Sequence, residues 1–298
     1  MKSHPLYLFA LDPTHIGAGG YRLGRVDNTI LRDAATNLPK LPGSSMNGAS
    51  RSGAIYSLPD DQRDRAIQYA RAMLDEQNKP RPHSGADDPV AQVFGYAENS
   101  EGQSRIGLVS FRDAEIFAFP VPTMAGPRWM TTPALLEAAG CPNVPTLNDP
   151  TKVVVQSVGA PPARINLGWI LLDATPKPIP FPTFLNSQPG MAHVRANLVL
   201  VHDSLFPSLV NANLETRTSV SIDFETGAGA DGLLFTYEAA PRGTLYRGQI
   251  DFDDQRFPDL YAGSLTLVQK GLALACQLGL GAMTTRGFGR MQPMLEGV

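Results

Sequence analysis

Three strand-like segments follow one another without an intervening helix: LETRTSVSIDF (214–224), LLFTYEAA (233–240) and GTLYRGQIDF (243–252). That run, and the alternating stretch RIGLVSFRDAEIFAF at 105–119, excludes a doubly wound parallel sheet, which demands a helix between successive strands. The remaining elements surround it in a definite order. PLYLFAL (5–11) predicts a buried first strand. Serine after the turn at PGSS (42–45) predicts a capped helix over 45–56, because a hydroxyl accepts from the unpaired amides of a first helical turn. A second amphipathic helix is expected over 60–77, with Ile67, Ala70, Met73 and Leu74 on one stripe. Further on, 130–140 reads as a helix and 152–157 and 164–173 as strands. Residues 258–279 form the clearest helix, ahead of a short terminal strand. Strand, helix, strands, helix, strand with inserted hairpins and loops predicts an α+β fold with a ferredoxin-like (RRM-like) core.

Two glycine-rich loops stand out, HIGAGGYRLG at 15–24 and GLGAMTTRGFG at 279–289. The first has neither the spacing nor the following helix of a dinucleotide fingerprint, and no Walker lysine motif occurs, so a nucleotide-binding enzyme is the weakest of the functional readings. The second places Arg286 and Arg290 among glycines, a composition that suits phosphate contacts through amides and guanidinium groups; taken alone, the loop reads better as a turn that simply closes the fold.

Charge is uneven. The chain is net −3, yet residues 1–58 hold six Lys and Arg against three Asp, while acidic residues gather at Asp60–Asp61 and Asp251–Asp254. A locally basic surface on an acidic chain can hold a polyanion. No run of 18 apolar residues occurs, so no membrane partner is expected. Cys141 and Cys276 are too few for a disulfide framework or a zinc site, and the chain is expected in the cytoplasm.

In order along the chain, LDPTHIGAGG, RVDNTILRD, LPKLPGSSMNGASRSG, VFGYAE, GLVSFRDAEIFAFPV, VHDSLFPSLV, TRTSVSIDFETGAGADGLLFTYEAAPRGTLYRG and GLGAMTTRGFG resemble the backbone subunit of Cmr-type (type III-B) CRISPR effectors, within the RAMP superfamily. The resemblance covers nearly the whole chain. It implies one RAMP domain over 1–298, with a helical or loop insertion at about 60–100 and a thumb-like or lid insertion at about 130–195. It implies a subunit that stacks in copies along guide crRNA, beside other effector subunits, and pairs that guide with target RNA. In such filaments a protruding hairpin, the thumb, displaces a nucleotide at regular intervals. Here 141–150 and the proline-rich 174–190 are the candidates for that element.

The resemblance also carries site residues. Asp27 matches an aspartate needed for metal-dependent cleavage of the target strand, either holding a divalent ion, expected to be Mg²⁺, or accepting the hydroxyl proton. His15 is a second catalytic candidate on the same loop, or else a histidine that caps it. Asp33 is a rival carboxylate, with Arg32 beside it as the expected ion-pair partner, and Asp12 before Pro13 reads as a turn residue. Ser44, Ser45 and Arg51 fall where the family contacts guide-RNA phosphates, and Arg25, Arg286 and Arg290 join them as RNA-binding residues. Relatives usually carry a lysine at the position of Asn47, a departure for which Arg51 or Arg25 would compensate. The two leading readings are therefore an RNA-guided endoribonuclease subunit and a structural subunit that binds RNA without cutting it.

Overall fold

The computed structural model describes residues 1–19, 26–71, 88–96, 104–156, 162–256 and 258–297. In chain order it forms β1 (Lys2–Ala10), β2 (Lys40–Leu41), α1 (Gly43–Tyr56), α2 (Asp60–Arg71), α3 (Pro89–Phe94), β3 (Gly95–Tyr96), β4 (Arg105–Ile106) and β5 (Val109–Phe111). Next come β6 (Ala114–Val121), β7 (Arg128–Thr131), α4 (Pro133–Ala138), β8 (Lys152–Gln156), β9 (Arg164–Leu167), β10 (Ile170–Lys177), α5 (Met191–Ala196) and β11 (Leu198–Leu200). The chain ends with α6 (Phe206–Ala212), β12 (Glu215–Ile222), β13 (Gly229–Ala239), β14 (Leu245–Phe252), α7 (Tyr261–Leu278) and β15 (Met291–Leu295). These elements make two compact units, one of Met1–Leu8, Leu41–Ala114 and Arg247–Val298, the other of Phe9–Lys40 and Glu115–Tyr246. The mixed α+β class expected from the strand runs is the observed one.

In the first unit the strands lie in the order β15–β1–β14, with β5 on β14. Strand β14 is antiparallel to β5, Ile250 opposite Phe111 and Phe252 opposite Val109. Leu6, Tyr7 and Leu8 are consecutively buried, which explains why β1 reads as an unbroken apolar run: both of its faces are covered. Two helices of this unit pack at unusually short range. A Cβ on Gly53 would stand 2.2 Å from the Gly271 carbonyl oxygen, and one on Gly271 would stand 2.3 Å from that of Ser50. Only glycine lets the α1 and α7 backbones approach this closely. The buried residues of α7, Ser264, Val268, Gly271, Leu272, Ala275 and Cys276, recur at three- and four-residue spacing on the face that meets α1.

Helix α1 begins two residues earlier than the serine signal predicts. Pro42 occupies the N-cap position without a side-chain cap, and the Gly43 amide instead donates to Asp113 Oδ1 at 2.8 Å. A carboxylate 70 positions away thus replaces the local hydroxyl, and Ser44 and Ser45 are left exposed in the first turn. The expected second helix is present as α2, and the end of the predicted range, 72–77, lies outside the described residues. The predicted strand at 105–119 is three short strands, β4, β5 and β6.

The second unit places β6–β7–β11–β8–β10–β9 side by side. Pairings alternate: β6–β7, β11–β8 and β10–β9 are antiparallel, while β11–β7 and β10–β8 are parallel. Val153, Val154 and Val155 of β8 and Leu198, Val199 and Leu200 of β11 are all buried, as central strands covered on both faces must be. The proline-rich 174–190 stretch, for which the sequence predicts no regular element, is packed. Strand β10 runs to Lys177, a short 3₁₀ turn covers Thr183–Ser187, and Ile179, Phe181 and Leu185 are buried. Strands β12 and β13 form a separate antiparallel hairpin with a bulge between Val220 and Ile222. Towards its end Val220, Ile222, Phe224 and Leu234 are exposed.

The glycine crossing is directly testable. Gly53→Ala is expected to lower stability by about 1–3 kcal/mol in urea unfolding, because the added methyl overpacks a backbone contact. Gly48→Ala, with open space at the same kind of helical position, is expected to be neutral or stabilising.

Candidate functional site

In the second unit the segment from Thr14 to Arg32 is fastened to β13 with hardly any ladder of its own. Single bridges join Thr14 to Ala240, Gly17 to Ile30 and Asn28 to Tyr237. Residues 26–33 thus pair only through isolated bridges, at Asn28, Ile30 and Arg32. Glu238 is the main attachment. Its amide donates to the Asn28 carbonyl at 3.1 Å, and its own carbonyl lies 2.5 Å from His15 Nδ1. Its carboxylate oxygen Oε2 accepts from the Ile30 amide at 3.3 Å and from Arg32 Nη2 at 2.9 Å. Arg32 Nε also donates to Asn211 Oδ1 at 2.9 Å. The expected Arg32–Asp33 pair does not form; the partner of Arg32 is Glu238, because β13 presents that carboxylate to it.

Asp27 is exposed, and Thr236 holds one side of its carboxylate. The Thr236 amide donates to Asp27 Oδ2 at 2.7 Å and the Thr236 hydroxyl at 3.0 Å. The Asp27 amide lies 3.2 Å from Thr236 Oγ1 and donates to it. Oδ1 has no hydrogen-bond partner among the described residues. The amide and hydroxyl of Thr236 stabilise the ionised form, so the carboxyl sits below its ordinary range and is charged at neutral pH.

Asp33 is engaged differently. Its Oδ1 accepts from the Ala35 and Thr36 amides, each at 3.0 Å, and Oδ2 pairs with Lys40 at 3.3 Å. These donors, the Thr36 amide first, pull its carboxyl down to about 2. Asp33 fixes a turn, with both oxygens occupied. His15 is buried, pinned by Nδ1 and set edge-on to the Tyr237 ring with centroids 6.1 Å apart. Asp12 is half-buried before Pro13. Arg25 lies outside the described residues.

The other predicted residues belong to the first unit. Gly43 starts α1 beside Phe111, the last residue of β5, whereas Tyr261 starts α7 against Phe252, at the opposite end of that strand pair. The two helices therefore run in opposite directions, which brings the start of α1 and the loop after α7 to one end of the unit. Exposed there are Ser44, Ser45, Arg286 and Arg290. The first turn of α1 itself has no acidic residue, and the Asp113 carboxylate meets that end of the helix through the Gly43 amide alone. Arg51 is half-buried, with no hydrogen bond or ion pair among the described residues. Asn47 Oδ1 is buried without a partner. The loop is preformed: Leu280 donates to the Gly289 carbonyl at 2.8 Å, and Gly289, at φ 82°, has no room for a Cβ, which would lie 2.3 Å from Leu280 O.

Among the described residues no three His, Cys, Asp or Glu converge as a ready-made metal site. The residues fit a divalent ion in one form only, a single carboxylate oxygen of Asp27 whose other ligands come from a substrate and water. Thr236 and Glu238 escape sequence reasoning, since nothing local ties them to positions 27–32.

Comparison with known proteins is consistent across the chain. A model of the RAMP superfamily matches residues 8–292. The CRISPR system Cmr endoribonuclease Cmr4 of Pyrococcus furiosus is 26% identical over 270 residues, covering 83% of this chain and 80% of that protein. A chain of the type III-B Cmr-beta complex bound to cognate target RNA superposes with a TM-score of 0.68 at 18% identity, covering 99% of this chain and 97% of that one. Oligomeric Cmr4 from Pyrococcus furiosus superposes with a TM-score of 0.59 at 19% identity, over 100% of this chain and 99% of that one.

If Glu238 holds the loop, Glu238→Ala is expected to release it. Amide exchange in residues 26–33 should accelerate, and stability should fall by about 1–3 kcal/mol as the Arg32 guanidinium and the Ile30 amide lose their acceptor. Hydrogen-exchange mass spectrometry with urea unfolding checks both.

Proposed function

The chain belongs to the RAMP superfamily, and from that premise we propose that it is a guide-RNA-binding backbone subunit and target-RNA endoribonuclease of a Cmr-type, type III-B CRISPR effector, working in the cytoplasm. The observation that carries this reading is Asp27: an exposed, ionised carboxylate with one oxygen held by Thr236 and the other without a hydrogen-bond partner among the described residues. The whole-length likeness to Cmr4 and to a chain of the Cmr-beta complex supports the same assignment. Within the first unit, the strand order β15–β1–β14–β5 with α1 and α7 between them supports the ferredoxin-like core. The partners we assign are guide crRNA, target RNA, further copies of the chain and other effector subunits. No helix among the described residues is long and apolar enough to cross a membrane.

In this reading guide-RNA phosphates lie at the start of α1, where amides and the exposed Ser44 and Ser45 hydroxyls donate to them, with Arg51, Arg286 and Arg290 supplying charge. We assign the thumb to hairpin β12–β13 instead of 141–150 or 174–190. Its apolar side chains are exposed, as a wedge between bases requires, whereas 174–190 buries its own. Displacing a nucleotide frees the neighbouring ribose to align its 2′-hydroxyl oxygen with the phosphorus and the departing 5′ oxygen, the geometry of in-line cleavage. Asp27 Oδ1 faces that reaction as a fixed negative oxygen. A divalent ion such as Mg²⁺ held there against phosphate oxygens would offset the charge that develops on the phosphate. His15 would fix the loop from beneath, through Glu238.

Two outcomes test the reading. Asp27→Ala in a reconstituted complex is expected to leave assembly and target binding intact and to reduce cleavage by orders of magnitude; full cleavage would remove Asp27 from its role. Arg51→Ala is expected to weaken binding of unrelated RNAs to a similar degree. It should also flatten the dependence of log K on log salt by about 0.7–1, the share of one phosphate contact. Filter binding across a salt series measures it.

A further inference from the structure

We infer that Thr236 is a positioning residue for the cleavage carboxylate, fixing Asp27 so that only Oδ1 is presented and tying that oxygen to the β12–β13 hairpin. The inference rests on the role proposed for Asp27 and adds what determines its geometry. Both donor groups of Thr236 converge on Asp27: the amide and the hydroxyl donate to Oδ2, and the hydroxyl oxygen accepts from the Asp27 amide. Two donors on one oxygen oppose rotation of the carboxylate about its own axis. The return bond from the Asp27 amide holds the backbone to the same side chain.

The next residue continues the attachment. The Asn28 amide donates to the Thr236 carbonyl at 3.0 Å, and the Glu238 amide donates to the Asn28 carbonyl at 3.1 Å. Among the described residues, Asp27 is thus placed by β13. Strand β13 is also half of the hairpin, with Thr236 opposite Thr218 and Leu234 opposite Val220. An element that displaces a nucleotide and a carboxylate that acts on the adjacent phosphate must keep a constant separation if cuts are to recur at a fixed register. The Thr236 contacts supply that constraint.

The test compares Thr236→Val, which keeps the β-branch and the backbone amide but loses the hydroxyl, with Thr236→Ser, which keeps the hydroxyl, and with Asp27→Asn. In the reconstituted complex Thr236→Val is expected to cut target RNA on the order of ten- to a hundredfold more slowly, as displacement of a reacting group by up to about 1 Å does. Target affinity should stay within about twofold, since phosphate contacts elsewhere supply binding, and Thr236→Ser should restore the rate. In the isolated chain, without metal or RNA, amide exchange at 26–28 should quicken in Thr236→Val and not in Thr236→Ser. Wild-type cutting by Thr236→Val beside an inactive Asp27→Asn overturns the positioning inference and leaves the Asp27 assignment standing. Loss of target binding or of folding by Thr236→Val in parallel with its cutting also overturns it, since the residue would then be merely structural. Wild-type cutting by Asp27→Asn overturns the assignment on which the inference rests.

Discussion

The loop that carries the candidate carboxylate is ordered by its hydrogen bonds to two residues of β13, Thr236 and Glu238. Between Thr14 and Arg32 the described chain has no strand or helix of its own, so its polar groups must find partners elsewhere or stay with water. Glu238 answers several of them at once, with its amide on Asn28, its carbonyl at His15, and its carboxylate shared by Ile30 and Arg32. The Arg32 and Glu238 side chains are each 20% exposed, so the pair is sheltered enough to hold and open enough to avoid the full desolvation cost of a buried charge. Asp27 owes its position to this attachment and to the adjoining Thr236.

The first unit reaches a comparable result by a different route. There the constraint is close approach: α1 and α7 meet at Gly53 and Gly271, a distance no side chain would tolerate. Because the two helices run in opposite directions, that contact fixes the start of α1 relative to the glycine-rich loop behind α7. Asp113 ties down the first amide of α1 and leaves the exposed serines free for another ligand. A hydroxyl spent on capping its own helix would be a poorer phosphate donor.

Much of this was legible in the sequence, and the parts that were not share a cause. The strand run over 214–252 gave the α+β class, and the helix at 258–279 and the glycine-rich loop at 279–289 lie where the pattern put them. Helices α3, α5 and α6 are six or seven residues long, too short for a helical period to show. The remaining misses are long-range. Asp113 caps a helix 70 positions away, Glu238 takes Arg32 from its sequence neighbour Asp33 across 206 positions, and Thr236 holds Asp27 across 209. Periodicity and capping rules see a few residues either side of a position, and these interactions exist only once the chain has folded. Asp27 itself was found through resemblance; the geometry that makes it one-sided was not visible there.

The same interactions bear on how a chain of net charge −3 could lie against a polyanion. Net charge counts carboxylates regardless of whether their field reaches solvent. Asp251 is 3% exposed and accepts from Ser3, Gln249 and Arg112; Glu238 is paired with Arg32, and Asp33 with Lys40 and two amides. Each of these has a positive or donor partner within hydrogen-bond reach, so little of its field extends beyond the pair at physiological ionic strength. Among the described residues, Asp27 has donors on one oxygen only. An unopposed carboxylate oxygen repels a phosphate, and that repulsion is tolerable where a cation or a reacting group comes between them. The exposed Oδ1 is therefore the feature that a passive scaffold would have least reason to keep, and it stands on a loop that the hydrogen bonds of Thr236 and Glu238 position.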